Sequence, residues 1–133
     1  LRIETSLPSL ALQSPLAGQL AAVIGHPAGG PLRTSPIRLV ERVTANGRDL
    51  YDSMDTQRKI WFAAAKLQSG DSGAPVIDTN GDVLGIIFAV APPATPEYER
   101  AAYVLDRAEI AAFMAEVAAF EDRSVVNTGQ CLK

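Results

Sequence analysis

The sequence predicts an all-β fold, a barrel or sandwich with one C-terminal α-helix, and three observations predict it. Many short apolar runs are separated by turns rich in Gly and Pro. Two of those runs meet at Asn80-Gly81, the strongest short-range hairpin signal. Only the stretch after Asp106 spaces its apolar residues as a helix does.

Residues 1–17 read as a strand end and a connector. Leu1 to Ser6 alternate apolar and polar, and Leu7 to Gly18 is punctuated by Pro and Ser. Residues 18–105 hold the β domain. Leu20-Ala21-Ala22-Val23-Ile24 is a buried strand, and Gly25 to Pro31 is a loop that Gly and Pro keep from propagating helix or sheet. Pro36 to Val43 is a second strand and Ala45-Asn46-Gly47-Arg48 a turn. Leu50 to Lys59 is polar and ambiguous, and Ile60 to Ala65 is a third strand. Ala74 to Asp78 and Val83 to Val90 form the hairpin through Asn80-Gly81. Ala91 to Arg100 is a Pro-rich surface loop, followed by a last strand, Ala101 to Leu105. Residues 106–120 form a helix that Asp106 can cap, with Ile110, Phe113, Met114 and Val117 on one face. Residues 121–133 are an irregular tail.

The 133 residues fit one domain. The net charge of −3 is spread over interspersed acids and bases, with no basic stripe for phosphates, so nucleic acid is not an expected partner. The apolar stretches fall short of the roughly 20 residues that span a bilayer. The chain starts inside a strand pattern and without an initiator Met, so a fragment or processed product of a longer protein is expected. The single cysteine, Cys131, is either an ordinary terminal thiol or half of a disulfide with a partner upstream of Leu1. The second reading implies an oxidising, extracytoplasmic setting.

Gly70-Asp71-Ser72-Gly73-Ala74-Pro75 carries the chemistry. A serine hydroxyl is a weak nucleophile and must stand on a tight turn where a base can reach it. Gly70 and Gly73 permit that turn and let substrate backbone come close. The N–H groups of Gly70 and Ser72 can then converge where a tetrahedral intermediate places its negative oxygen. Pro75 sets the strand that leaves the site. Gly-Asp-Ser also occurs in GDSL-type esterases, but there it follows the first strand of an α/β fold, and no strand–helix alternation exists here.

The segment resembles the nucleophile signature Gly-Asp-Ser-Gly-Gly-Pro of trypsin/chymotrypsin-like serine peptidases, with Ala74 at the fifth position. Val83-Leu84-Gly85-Ile86-Ile87 is similar to the family's Leu-Val-Gly-Ile-Val-like strand, and Ala101 to Val104 to the opposite wall of its specificity pocket. A closer resemblance is to the actinobacterial, membrane-anchored group that includes the mycobacterial acid-resistance protease. It rests on Gly25-His26-Pro27-Ala28-Gly29-Gly30, on Asp78 to Gly85, and on Thr128-Gly129-Gln130-Cys131.

This resemblance implies a six-stranded antiparallel β-barrel, the second barrel of a chymotrypsin-like fold, closed by the C-terminal helix. It implies a serine endopeptidase acting on peptide or protein substrates through an acyl-enzyme on Ser72, with Gly70 and Ser72 as the oxyanion hole and no cofactor. Phe88, Ala89 and Val90 would pair with the substrate backbone as an added strand. The parent would be anchored to the membrane with its protease domain outside the cytoplasm, and Cys131 would bridge to a cysteine near that domain's start.

The departure from the family is the absence of its catalytic His and Asp, which come from the first barrel. Alone, the chain is expected to be nearly inactive, and to bind the missing N-terminal barrel or to form a homodimer. His26 with Asp49, Asp52 or Asp55 mimics the order of a triad, but His26 sits in the loop that the family uses structurally. Asp71 either turns inward to hold the oxyanion loop or bonds its own backbone as an exposed turn residue. Lys66 lies near the family's pocket base, where a buried lysine would favour an acidic substrate side chain; otherwise it points to solvent. A different class of function, a non-catalytic peptide-binding or interaction module, would use the same Ile86–Val90 strand without the serine.

Overall fold

The computed structural model describes residues 6–48, 52–90 and 101–119. Six strands close into an antiparallel barrel: β1 (Leu20–Gly25), β2 (Arg33–Arg48), β3 (Asp55–Ala65), β4 (Pro75–Ile77), β5 (Val83–Val90) and β6 (Ala101–Asp106). The order around the ring is β1-β2-β3-β6-β5-β4. A helix, α1 (Arg107–Ala119), follows β6 directly. The ring closes because β1 pairs with β4 as well as with β2.

Period-2 alternation builds the core. On β2, Ser35, Ile37 and Leu39 turn inward while Thr34, Pro36 and Arg38 face out. Ala63 and Ala65 do the same on β3, and Ala102 and Val104 on β6. With Val23, Val76, Leu84 and Ile87 these side chains fill the barrel interior. Gly85 is required where β5 meets β6: a Cβ there would lie 2.5 Å from the Leu105 carbonyl oxygen.

The connector is pinned rather than loose. Leu12 bridges Val83 in parallel, with Gln13 N–H donating to the Val83 carbonyl at 2.9 Å and Val83 N–H to Ala11 at 2.8 Å. Asp78 holds the β4–β5 turn, its Oδ1 accepting from Asn80 N–H (2.8 Å) and Asp82 N–H (3.0 Å), and Gly81 supplies the positive φ of 88°.

Two expectations are corrected. Asn46-Gly47 is not a turn, because β2 runs on to Arg48 and pairs Asn46 with Gln57 and Gly47 with Thr56. Of the polar stretch before Ile60, Asp55 to Lys59 is the returning strand of this ribbon. Neither face of the ribbon is buried, so it shows no hydrophobic alternation. The apolar side of α1 does not reach the core either: Phe113 is 64% exposed and no residue of the helix is buried.

Asp106 fastens the helix to the barrel. Its carboxylate accepts from Arg42 Nε (2.8 Å) and Nη2 (3.1 Å), from Trp61 Nε1 (2.9 Å) and from Ala108 N–H (2.8 Å). The last of these is the N-cap bond read from the sequence. Burial pushes this carboxyl up, but the hydrogen bonds from Arg42, Ala108 and Trp61 and the charge of Arg42 together hold it below its ordinary value. Glu109 also reaches back to accept from Lys59 N–H at 3.0 Å, just past the end of the β3–β6 ladder.

Candidate active site

Ser72 sits on a bend between the end of β3 and the start of β4, framed by Gly70 at φ 99° and Gly73 at φ 85°. A β-carbon is disfavoured at both backbone conformations. The Ser72 side chain is exposed, while Asp71 beside it is 1% exposed. The bend therefore alternates, with one side chain anchored inside and the next presented outside.

Backbone bonds set the same alternation for the amides. Asp71 N–H donates to the Gln68 carbonyl at 3.1 Å, Gly73 N–H to Ile87 at 2.7 Å and Ala74 N–H to Asp71 at 3.0 Å. Among the described residues, the N–H groups of Gly70 and Ser72 donate to no protein acceptor. Two uncommitted donors flanking an exposed hydroxyl are the raw material of an oxyanion hole.

Three contacts hold the bend in this shape. Asp71 turns inward and its Oδ2 accepts from Gln68 N–H at 2.9 Å. The residue is therefore not the exposed turn residue of the second reading, although its partner is local backbone, because the carboxylate is buried. The end of β1 packs on the same side, where a Cβ on Gly25 would lie 2.9 Å from Asp71 Oδ1 and 3.2 Å from the Ala74 Cβ. That proximity explains a small residue at position 74. The loop after β1, a 3-10 turn over Pro27–Gly29, braces Gly70, and its Ala28 N–H donates to the Ser69 carbonyl at 2.6 Å.

His26 belongs to this brace. Its Nδ1 donates to the Gly30 carbonyl at 2.9 Å, closing the loop on itself. Asp52 and Asp55 instead pair with Arg48 at the far end of the β2–β3 ribbon, and Asp49 lies outside the described residues. No triad is assembled from these groups among the described residues.

β5 carries the proposed substrate strand. Ile87 exchanges bonds with Gly73 and Ala74, and a bulge at Phe88 shifts the register against β6. Beyond Ile87, Ala89 and Val90 pair with β6 only, so among the described residues the edge facing the Ser72 bend has no partner strand. Phe88 is 47% exposed. Lys66 is not brought to this place. It faces outward into a groove on β1, β2 and β3 that neither the Ser72 bend nor β5 lines. Cys131 lies outside the described residues, as do Leu1 to Thr5.

A family model for the trypsin-like peptidase domain matches residues 1–86, which include the whole Ser72 bend. The chain belongs to this family. Among curated relatives, the serine protease Rv3671c of Mycobacterium tuberculosis strain H37Rv is 34% identical over 116 residues, covering 86% of this chain and 28% of that protein. The serine protease MT3772 of strain CDC 1551 matches to the same extent. The solved active form of the Rv3671c protease superposes with a TM-score of 0.74 at 30% identity, covering 96% of this chain and 55% of that one. An HtrA-type protease, AlgW, solved with a tripeptide, shares the fold at a TM-score of 0.67 and 18% identity. This trypsin-like chain thus spans little more than a quarter of its curated relatives' length and about half of the solved Rv3671c protease chain.

Proposed function

We propose that the chain is the nucleophile-bearing part of a serine endopeptidase. Ser72 Oγ attacks the carbonyl carbon of the scissile peptide bond and passes its proton to a histidine outside these 133 residues. The N–H groups of Gly70 and Ser72 receive the oxyanion, and the same proton then goes to the leaving amine as the acyl-enzyme forms. Water releases the acyl group in the second half-reaction. The observation that carries this reading is the bend itself, an exposed Ser72 flanked by two uncommitted amides while the intervening Asp71 is anchored.

Exposed large apolar side chains support the proposal that a second barrel docks on this chain. Leu7, Leu10, Leu16, Phe88, Phe113 and Met114 are all more than two-fifths exposed. In its absence the same apolar surface would favour a homodimer. Substrate backbone would add to the edge of Phe88, Ala89 and Val90. The likeness of Gly25–Gly30 and of the tail before Cys131 to a membrane-anchored group supports an extracytoplasmic, membrane-tethered parent. It also supports a disulfide between Cys131 and a cysteine outside this chain. No described helix is long and apolar enough to cross a membrane.

A fluorophosphonate probe tests the proposal. Joined to its upstream partner segment, the protein is expected to label at Ser72, and Ser72→Ala is expected to abolish labelling. An unlabelled but correctly folded complex would instead favour the second reading, a non-catalytic peptide-binding module, for which the unpaired edge of β5 speaks.

A further inference from the structure

The outer face of β1, β2 and β3 carries a groove of about 540 Å³. Strand register assembles its floor: Leu20 lies opposite Arg38, Arg38 lies opposite Ala64, and Lys66 follows two residues on with the same outward parity. Pro36 completes the floor, and Arg33 lines the groove from the start of β2, on the parity of buried Ser35 rather than that of Arg38. Arg33 is held in place, its Nε donating to the Oγ of Ser35 at 3.2 Å, and Ser35 is only 6% exposed. The terminal amino groups of Arg33 have no partner among the described residues, nor has the guanidinium of Arg38.

Arg33, Arg38 and Lys66 line the groove with no carboxylate among its lining residues. This local sign is opposite to that of the chain, whose net charge is −3. Guanidinium forks match carboxylates bidentately. The apolar surfaces of Leu20, Pro36 and Ala64 lie between the cations. We propose that this groove binds an acidic polypeptide segment, its carboxylates meeting Arg33, Arg38 and Lys66 and its intervening apolar side chains resting on Leu20, Pro36 and Ala64. A nucleic acid fits less well, since three cations in one groove form no continuous basic stripe to track a phosphate backbone. The volume also suits a few side chains, within the usual range of roughly 300–1,000 Å³ for small sites.

The site stands apart from the protease reading, because no residue of the Ser72 bend or of β5 lines it. Fluorescence anisotropy of the chain with a labelled short peptide of alternating Glu and Leu provides the test. The matching Gln/Leu peptide and a single-stranded oligonucleotide of equal charge complete it. The Glu peptide is expected to bind, to weaken with rising salt, and to bind Ser72→Ala as tightly as the parent. Arg38→Gln and Lys66→Gln should each weaken binding about two- to five-fold, and Arg38→Lys, which keeps the charge but loses the bidentate fork, should fall between Arg38→Gln and the parent. Both residues are exposed, and circular dichroism would confirm folding, so either variant carries the test if the other misfolds. Equal affinity for the Glu and Gln peptides, or no change in both Gln variants, would overturn the proposal. Tighter binding of the oligonucleotide would overturn it in favour of a general polyanion surface.

Discussion

Gly70 lies so close to the backbone of Ala28 that a Cβ at position 70 would come within 2.8 Å of the Ala28 nitrogen. The loop after β1 therefore braces the bend that carries Ser72. Gly70→Ala would also strain the backbone, whose φ is 99°. In the complete protein the substitution is expected to lower the rate of peptide hydrolysis by about 10²–10³, the typical effect of losing one oxyanion donor. Its cost in stability is expected to be smaller, about 1–3 kcal/mol. Steady-state kinetics beside a urea titration separates the two effects. Unchanged kinetics would show that the Gly70 amide is not used.

Asp71 organises the same bend from inside. Asp71→Ala removes the acceptor of Gln68 N–H in a buried place, and is expected to destabilise the fold by about 1–3 kcal/mol. Asp71→Asn keeps an acceptor oxygen and is expected to lose less. Hydrogen exchange at the Gln68 amide reports directly on this bond, and protection there should fall in Asp71→Ala. Equal protection in the two proteins would mean that the carboxylate does not hold the turn.

Gly85 on β5 lies opposite Asp106 on β6. A Cβ would meet both the Leu105 carbonyl oxygen and Val104 Cγ1 at 2.5 Å, and the oxygen, being backbone, cannot rotate away. Gly85→Ala is expected to cost about 1–3 kcal/mol by overpacking. Thermal unfolding would show it as a lowered Tm. An unchanged Tm would mean that the β5–β6 ladder can open without cost.

What was legible in the sequence follows from which contacts are local. β1, β5 and β6 each put an apolar side into the barrel, so their patterns revealed them. The Gly70–Pro75 segment was legible because its chemistry depends on backbone conformations that only particular neighbours allow. The ribbon of Thr44–Arg48 against Asp55–Lys59 was not, because with no buried face its polar residues carry no periodic signal. The helix misled in the opposite sense: Phe113, Met114 and Val117 have helical spacing, yet all three are exposed. The link of Arg42 and Trp61 to Asp106 spans 64 and 45 positions, so no local pattern could announce it. Nor could the sequence show that Arg38 and Lys66 share one outward face, since strand register brings them together across β2 and β3.

The Asp106 network makes stability depend on acid. Its carboxyl is held below the ordinary value of 3.8, chiefly because the bonds from Arg42, Ala108 and Trp61 outweigh the opposing effect of burial. A group depressed in the folded state stabilises fully above its unfolded pKa and loses that contribution as pH falls through the folded value. The protein should therefore keep this share of its stability down to about pH 4 and lose it progressively below. Asp106→Asn cannot form the charged pair and is expected to cost about 1–2 kcal/mol at neutral pH, tempered by the partial exposure of Arg42. In urea titrations across acidic pH, the gap between the parent chain and Asp106→Asn should close as the pH drops below 4. If the gap stayed constant down to the acid limit, the network would owe its strength to shape and hydrogen bonding rather than to the ionised carboxylate.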